Sequence, residues 1–277
     1  GFGYWSGKDV EVQFHPAPAN HGIVFVRTDL PGEKRIAAVV ENRIEIPRRT
    51  VLSANGATVE MVEHVLAALA GLQVDNCEVR VNAAELPGCD GSALPFVEAI
   101  EKAGVEEQNA LKATIRIREV TRVGDDESWV EVSPARGKTK TGLTIRYKLD
   151  YGPNNPIGKQ TIELTVTPAT FKKELASART FLLDSEAEWL RSQGLGSRCS
   201  NSDLLIFGPD GPIENTLRYE DECVRHKALD LIGDLALAGC DLQGMVVAFR
   251  SGHRLNAEVV RHALVEGELI CGSRLVA

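Results

Sequence analysis

Several features are scarce in this sequence of 277 residues, and each scarcity excludes a class of protein. No apolar run approaches the roughly 20 residues that a membrane-spanning helix needs, so no transmembrane segment is expected. No block of basic residues occurs, and the formal net charge of −8 argues against a nucleic-acid partner. The sequence also shows no secretory signal segment.

Cysteine pairs that would hold a metal or form a disulfide framework are lacking too. The six cysteines are scattered along the chain and contain no CxxC pair. In a chain of this size, that spacing favours reduced thiols in a cytoplasmic protein. The chain opens on Gly1 rather than Met, so we expect that residues upstream have been removed.

The sequence does contain two runs of strand-like alternation, each followed by helices. The first covers about 50 residues, and a helix with Thr58 as its N-cap then runs through "VEMVEHVLAALAGL". A strand in "NCEVRVNAAEL" and a helix in "SALPFVEAIEKAG" follow. The second run spans residues 113–167, before helices at 168–177, 185–194 and 222–238, a strand in "GMVVAFR" and a helix near 255–265.

An internal echo indicates two similar halves. "EHVLAALAGLQVDNCEVRV" and "RHKALDLIGDLALAGCDLQGMVVAF" each place a histidine early in an apolar helix, with a glycine, an aspartate and a strand after it. Strands that precede helices in each half favour an α+β fold. We therefore predict two α+β domains, residues 1–110 and 111–277, each with a mainly antiparallel sheet layered with paired helices.

The first apolar helix carries a polar pair. Glu63 and His64 adjoin a core stripe at helical spacing, which consists of Val62, Val65, Leu66 and Leu69. Small residues on the His64 face leave room around its imidazole. A surface Glu–His pair on an amphipathic helix is the alternative, and this segment alone favours it.

The second helix is more specific, because His226 and Asp230 are i, i+4 neighbours whose side chains one cation can bridge. A stabilising His–Asp pair is the alternative interpretation. Burying such groups unpaired costs several kcal/mol, and a cation would remove that cost. Two histidines, His64 included, and one aspartate suit a Zn²⁺ site with an open position for water. Glu63 is then a candidate base for activating that water.

Other candidate residues lie in neighbouring segments. His253, in "SGHRLN", stands in a turn before a helix, where Asp234 could orient it and keep it protonated. In "SARTF", Thr180 offers a hydroxyl for a developing oxyanion and Phe181 an aromatic face. Lys227 and Arg250 are candidates for binding phosphate, although either could equally be a solvated charge.

Taken together, these segments resemble the zinc-dependent UDP-3-O-acyl-N-acetylglucosamine deacetylases, which commit a sugar nucleotide to lipid A synthesis. The matching stretches include "TVEMVEHVLAALAGLQVDN", "ELPGCDGSALPFV", "SARTF", "RHKALDLIGDLALAG" and "SGHRLN", in the family's order across nearly the whole chain. The resemblance implies two similar α+β domains with the active site between them.

The resemblance also implies a role for each matching residue. The metal ligands would be His64, His226 and Asp230, and the general base would be Glu63. His253 would be the protonated histidine that serves the leaving amine, with Asp234 orienting it and Thr180 polarising the carbonyl. The substrate UDP-3-O-acyl-N-acetylglucosamine would contact Lys227 and Phe181.

The sequence departs from the family pattern in three places. Trp5 stands where a histidine is usual, and the family's first strand would precede Gly1. The segment after Thr180, which would form the acyl passage, carries polar residues where apolar ones are expected: Arg198, Ser200, Asn201 and Ser202. The residues available to line that passage are Leu183, Trp189, Leu190 and Leu195.

Other interpretations stay open at this level. A zinc amidohydrolase could act on a different acylated sugar, and a non-catalytic module could bind a metal or a sugar nucleotide. Retention of Glu63 and His253 counts against the module, which needs neither. Fe²⁺ and Co²⁺ accept the same ligands as Zn²⁺. A monomer is expected, and the chain could be half of an enzyme fused to a hydroxyacyl carrier-protein dehydratase.

Overall fold

The computed structural model describes residues 1–135 and 142–272, and these form an α+β fold. The helices are α1 Glu63–Gly71, α2 Leu94–Ala103, α3 Pro168–Glu174, α4 Asp184–Ser192, α5 Glu222–Leu235 and α6 His253–Glu266. The strands are β1 Val12–Pro16, β2 Ile23–Arg27, β3 Lys34–Ala37, β4 Arg43–Ile44, β5 Val51–Ala54, β6 Ala57–Glu60, β7 Cys77–Val81, β8 Thr114–Arg116, β9 Thr121–Gly124, β10 Trp129–Ser133, β11 Leu143–Asp150, β12 Lys159–Thr165, β13 Phe181–Leu183, β14 Leu205–Gly208, β15 Gly211–Pro212, β16 Asp241–Phe249 and β17 Glu268–Cys271.

Each half of the chain has one larger sheet and one small one. The first half holds a sheet in the order β1-β7-β2-β3 and the small sheet β4-β5-β6. The second holds a sheet in the order β12-β11-β16-β10-β9, in which β8 also pairs with β16 and β17 pairs with β8, and the small sheet β13-β14-β15. Most pairings are antiparallel, but the strands that follow α1 and α5 have parallel neighbours: β7 is parallel to β2, and β16 is parallel to both β11 and β8. The helix–strand–helix order α1–β7–α2 recurs as α5–β16–α6.

One predicted helix boundary is wrong. Thr58 lies in β6, which pairs with β5 in a hairpin, and α1 begins at Glu63. Asn55 and Gly56 turn this hairpin with positive φ at both positions, 54° and 74°. An Asn-Gly pair favours this turn because its twist matches that of the flanking strands. The apolar periodicity of α1 therefore extends backwards into a strand, and periodicity alone did not separate the two elements.

The most buried contact between the halves is between α1 and α5. Gly233 makes it possible, since a Cβ at this position would lie 2.1 Å from the backbone oxygen of Glu63. The absence of a side chain lets the start of α1 lie directly against α5. Val65, Leu66 and Leu229 are buried around this contact in a core that continues through both halves.

The remaining helices lie close to their predicted ranges, with two differences that bear on function. His253 is the first residue of α6 rather than part of the preceding turn. The segment after Thr180 contains the predicted helix α4 together with β13, β14 and β15, three short strands that the sequence did not predict. Across the described residues, no helix combines the length and the apolar character that crossing a membrane requires.

Candidate metal and catalytic site

Three predicted metal ligands meet where α1 and α5 touch. His64 lies in the first turn of α1, and His226 and Asp230 lie one turn apart on α5. Their nearest ligand atoms all lie within 4.8 Å of one another, and all three residues are buried. The two imidazole rings are nearly perpendicular, with centroids 5.1 Å apart. This spacing allows one ion to contact all three side chains.

The carboxylate of Asp230 supports a cation at this point. Its Oδ1 is buried and has no hydrogen-bond partner among the residues that the structure describes; it lies 3.3 Å from Nε2 of His226 and 3.6 Å from Nε2 of His64. Nδ1 of His226 lies 3.1 Å from the carbonyl oxygen of Ala178, which fixes the proton on Nδ1 and leaves a lone pair on Nε2. A buried oxygen that faces a nitrogen lone pair is unfavourable unless a cation lies between them. The donor set therefore fits a metal ion.

The ionisation states of His226 and Asp230 agree with metal binding. Burial lowers the pKa of His226 to about 3, so its imidazole is neutral at pH 7. Burial would raise the pKa of Asp230, but the positive charge around it, that of the Lys227 ammonium above all, outweighs burial and holds that pKa well below its usual range. Lys227 donates to Oδ2 of Asp230 at 2.8 Å. A neutral imidazole and an ionised carboxylate are the forms that bind metal ions.

Glu63 lies beside the ligands, at the first position of α1. Its Oε2 accepts a hydrogen bond from the backbone N–H of Thr50 at 3.0 Å, and its Oε1 lies 4.0 Å from Nε2 of His253. Burial raises the pKa of Glu63 above its usual value. A carboxylate with a raised pKa that borders the ligand cluster is suited to accept a proton from water.

His253 faces Glu63 from the start of α6. Its Nδ1 donates to Oδ2 of Asp234 at 2.8 Å, and Asn256 donates to the same oxygen at 2.8 Å. Burial disfavours the charged imidazole, but the Asp234 carboxylate outweighs burial and raises the pKa of His253 to about 9. His253 is therefore protonated at pH 7, as a general acid must be.

These groups border one cavity of about 450 Å³. The predicted residues Thr180, Phe181 and Lys227 line it together with Glu63, the three ligand residues and His253. The ring of Phe181 lies 5.9 Å from Nζ of Lys227, and its centroid is 6.0 Å from that of Tyr151. The structure thus brings nearly all of the predicted site residues to one space.

Two predicted substrate residues lie elsewhere. Leu183 packs against the main core, and the alternation of β13 turns Leu182 towards the cavity instead. Arg250 occupies an exposed turn with a φ of 49°, where its backbone bonds to neighbouring strands and loops. Arg254, one turn into α6, lines the cavity in its place.

The segment after Thr180 supplies one wall of the cavity. Leu190 and Leu195 line it, as predicted from their apolar character, whereas the Trp189 side chain is 55% exposed. The unexpected polar residues build the loop rather than the wall. Arg198 bonds to Gly7 and Asp9, and the neighbouring polar residues bond within their own turn or to nearby loops: Ser200, Asn201 and Ser202.

Trp5, at the position where a histidine was expected, also lines the cavity. The guanidinium of Arg49 stacks 4.5 Å from the centre of its ring, and the Trp5 backbone N–H donates to Glu85. The N-terminal segment therefore contributes an aromatic face to this wall.

The sequence interpretation missed a buried ion pair behind "SARTF". Arg179 donates to Glu222 from its backbone N–H and its guanidinium, at 3.0 and 2.8 Å, and both side chains are almost fully buried. Asn215 accepts another guanidinium hydrogen bond at 2.9 Å. This pair anchors the backbone directly before Thr180 and Phe181. A charged residue directly before the two site residues of one short motif was the available signal.

Comparisons with known proteins agree with the geometry. The family model described as UDP-3-O-acyl N-acetylglycosamine deacetylase, LpxC, matches residues 1–265. A UDP-3-O-acyl-N-acetylglucosamine deacetylase of Stenotrophomonas maltophilia is 40% identical over 267 residues, which cover 96% of this chain and 87% of the relative. That of Shewanella sp. (strain W3-18-1) is 38% identical over 274 residues, with 96% and 86% covered. Because the match extends along nearly the whole chain, the chain belongs to the UDP-3-O-acyl N-acetylglycosamine deacetylase family.

Proposed function

We propose that this chain hydrolyses the N-acetyl group of UDP-3-O-acyl-N-acetylglucosamine, to give acetate and a free sugar amine in the committed step of lipid A synthesis. The observation that carries the proposal is the placement of a buried His-His-Asp cluster in one cavity with a carboxylate and a cationic histidine. A module that only binds a sugar nucleotide needs neither Glu63 nor His253. Family membership supports the same activity.

Zn²⁺ is the metal that we propose for this site. His64, His226 and Asp230 would hold it, and three nitrogen and oxygen ligands are typical of catalytic zinc with an open position. When bound, zinc supplies a Lewis acid that lowers the pKa of water towards about 7 and polarises a carbonyl oxygen. Fe²⁺ or Co²⁺ would accept the same donors.

The protein's own residues move the protons. Glu63 accepts a proton from the attacking water, since its burial raises its proton affinity. His253, cationic through Asp234, stabilises negative charge on the tetrahedral carbon's oxygen and gives a proton to the departing amine. The hydroxyl of Thr180 donates to the same developing oxyanion. These three groups approach the cavity from separate elements, so each can serve a different atom of the acetamide.

The rest of the cavity would bind the substrate. Phe181 offers an apolar ring beside the reacting carbons, and Lys227 offers a positive charge to the diphosphate. Leu182, Leu190 and Leu195 form an apolar wall on one side, which suits an acyl chain. Burial of that chain would orient the sugar in the cavity.

The cellular location of the enzyme and its division into domains are also proposals. The cysteines are scattered along the chain without a CxxC pair, which supports residence in the reducing cytoplasm. We further propose that the chain divides near residue 110, with Glu63 and His64 on one side and the other two ligands on the other.

The experiment is to strip the protein of metal, titrate it with Zn²⁺ and measure acetate release from UDP-3-O-acyl-N-acetylglucosamine. We expect activity to peak near one zinc per chain. Glu63→Gln should keep zinc binding and lower kcat by about 100-fold or more, because it keeps the shape of Glu63 but cannot accept the proton.

Three other outcomes would contradict parts of the proposal. Zinc binding without acetate release would reject this substrate and favour a different acylated sugar, with Trp5 as the first residue to test. No zinc binding would reject the metal site. Unchanged kcat in Glu63→Gln would reject Glu63 as the base.

A further inference from the structure

Thr50, directly before β5, contacts the carboxylates of both Glu63 and Asp234, although nothing in the local sequence pattern singled it out. Its side chain is fully buried. Its backbone N–H donates to Oε2 of Glu63 at 3.0 Å, and its hydroxyl donates to Oδ1 of Asp234 at 2.5 Å. The two carboxylates belong to α1 and α5, so Thr50 joins groups that are far apart in the sequence.

The Asp234 carboxylate has a different donor on each oxygen. Oδ2 accepts from His253 and Asn256, whereas Oδ1 accepts from the Thr50 hydroxyl. Donors on both oxygens fix the plane of a carboxylate, and that plane determines where Oδ2 points. Without the hydroxyl, the carboxylate would carry a buried and unsatisfied oxygen and would be free to turn. The direction of its bond to His253 would then no longer be fixed.

Thr50 itself is held firmly enough to serve this purpose. Its carbonyl accepts from the backbone N–H of Val62 at 3.4 Å, directly before α1, and its N–H is held by Glu63. A β-branched side chain has restricted χ1 freedom, so the hydroxyl stays aimed at Asp234. A serine could still donate from this position, whereas a valine of similar shape could not.

We propose that Thr50 is a positioning residue, whose hydroxyl acts through Asp234 to set the orientation of His253. This inference rests on the proposed function, in which His253 supplies the proton to the leaving amine. The Thr50 backbone N–H, which Glu63 accepts, is the same in every residue at this position, so the effect of the hydroxyl alone is expected to pass through Asp234.

The first test compares Thr50→Val with Thr50→Ser in the zinc-loaded enzyme. Loss of the hydroxyl should lower kcat by about 10- to 100-fold, by analogy with the hydrogen-bond partners that orient metal ligands, with KM within about twofold of wild type. Thr50→Ser should keep kcat within about threefold, because it retains the donor. Zinc stoichiometry should stay at one per chain in both variants.

The second test is a double-mutant cycle with Asp234→Asn. If Thr50 acts through Asp234, adding Thr50→Val to Asp234→Asn should change kcat by less than about twofold, since the partner is already altered. An equal loss in both backgrounds would overturn the proposal. So would wild-type kcat in Thr50→Val, or a folded Thr50→Ser variant as slow as Thr50→Val. If Thr50→Val does not bind one zinc per chain, Thr50→Ala replaces it in the same cycle.

An NMR measurement separates this inference from the proposed substrate. The Nδ1–H proton of His253 should give a hydrogen-bonded signal in the wild type, exchange-broadened in Thr50→Val and restored in Thr50→Ser. An identical signal in all three proteins would overturn the positioning role. Wild-type protein that binds zinc, shows this pattern and releases no acetate would reject the proposed substrate alone.

Discussion

The pKa values of two histidines in the site are shifted in opposite directions by their surroundings. His226 is buried beside another imidazole and a lysine, and its pKa is lowered to about 3. His253 starts α6, where the helix dipole disfavours a positive charge, yet Asp234 raises its pKa to about 9. Each imidazole lies near a carboxylate, so the balance between burial and neighbouring charge decides the difference: burial prevails over Asp230 at His226, whereas Asp234 and Glu63 prevail over burial at His253. The neutral imidazole suits a ligand, and the charged one suits an acid.

The first prediction concerns activity at alkaline pH. Because His253 is active when protonated, kcat/KM should fall as the pH rises through about 9. Asp234→Asn removes the carboxylate that holds the proton, so this fall should move to lower pH by about one unit or more. pH–rate profiles of both proteins measure the shift. Glu258→Gln, which removes an equal charge from α6, should leave the profile unchanged, and coincident profiles for wild type and Asp234→Asn would refute the assignment.

The same proton contributes to stability. The folded-state pKa of about 9 lies above the ordinary value of 6.5, so the contribution is complete below pH 6.5 and is lost as the pH rises through 9. In metal-free protein, the free energy of unfolding should therefore fall by up to about 3 kcal/mol over this interval. Urea unfolding at successive pH values tests this. His253→Asn should lose this part of the slope, and an unchanged slope would mean that another group carries it.

At the scale of elements, the site depends on how closely α1 and α5 approach. Gly233→Ala would place a Cβ 2.1 Å from the backbone oxygen of Glu63, and backbone cannot rotate away as a side chain can. The helices must then separate, which moves His64 away from His226. We expect weaker zinc binding and a kcat lower by about 100-fold, since displacements near 1 Å can cost that much.

Gly71→Ala is the matched control for this prediction. It lies at the opposite end of α1, where an added Cβ would meet the ring of Phe171 at 2.3 Å. Both substitutions overpack α1, at an expected cost of about 1–3 kcal/mol in the free energy of unfolding. Only Gly233→Ala should weaken zinc binding, which isothermal titration would measure. Equal zinc affinities in the two variants would show that the crossing does not set the ligand geometry.

The elements also show where periodicity succeeds and where it fails. The apolar spacing of α2 and the glycine after it located both ends of that helix within two residues. For α1, the same apolar spacing placed the start of the helix about five residues early. The reason is that alternate residues of β6 are buried and continue the apolar run. The Asn55-Gly56 pair was the available signal for a hairpin at that point.

At the scale of the whole molecule, one lysine joins the two halves near the predicted boundary. Lys112 pairs with Asp75, which follows α1, and with Asp241 at 2.8 Å, which follows α5. These two aspartates occupy equivalent positions in the two similar helix–strand segments of the sequence. The division of the chain near residue 110 stays a prediction, and this contact gives a way to probe it.

We expect Lys112→Met to lower the free energy of unfolding by only about 1 kcal/mol, because all three side chains are partly exposed and such pairs are weak. The loss should shrink in 1 M salt, where charges are screened within roughly 3 Å. Thermal unfolding at low and high salt measures both. A loss of several kcal/mol that salt does not change would mean that Lys112 stabilises the contact between halves by packing rather than by charge.

The sequence by itself determined the α+β class, the helices that carry the His-His-Asp cluster and the residues of that cluster. It did so because histidine and aspartate at i, i+4 in an apolar helix leave few physical options, and because the motifs resemble one family along the chain. Tertiary structure alone decided the contacts between distant segments. Thr50 reaches Asp234 across 184 residues, and β13 turns Leu182 rather than Leu183 to the cavity. Local patterns report the preference of a segment, whereas a buried hydroxyl or a strand face finds its partner only when the segments pack together.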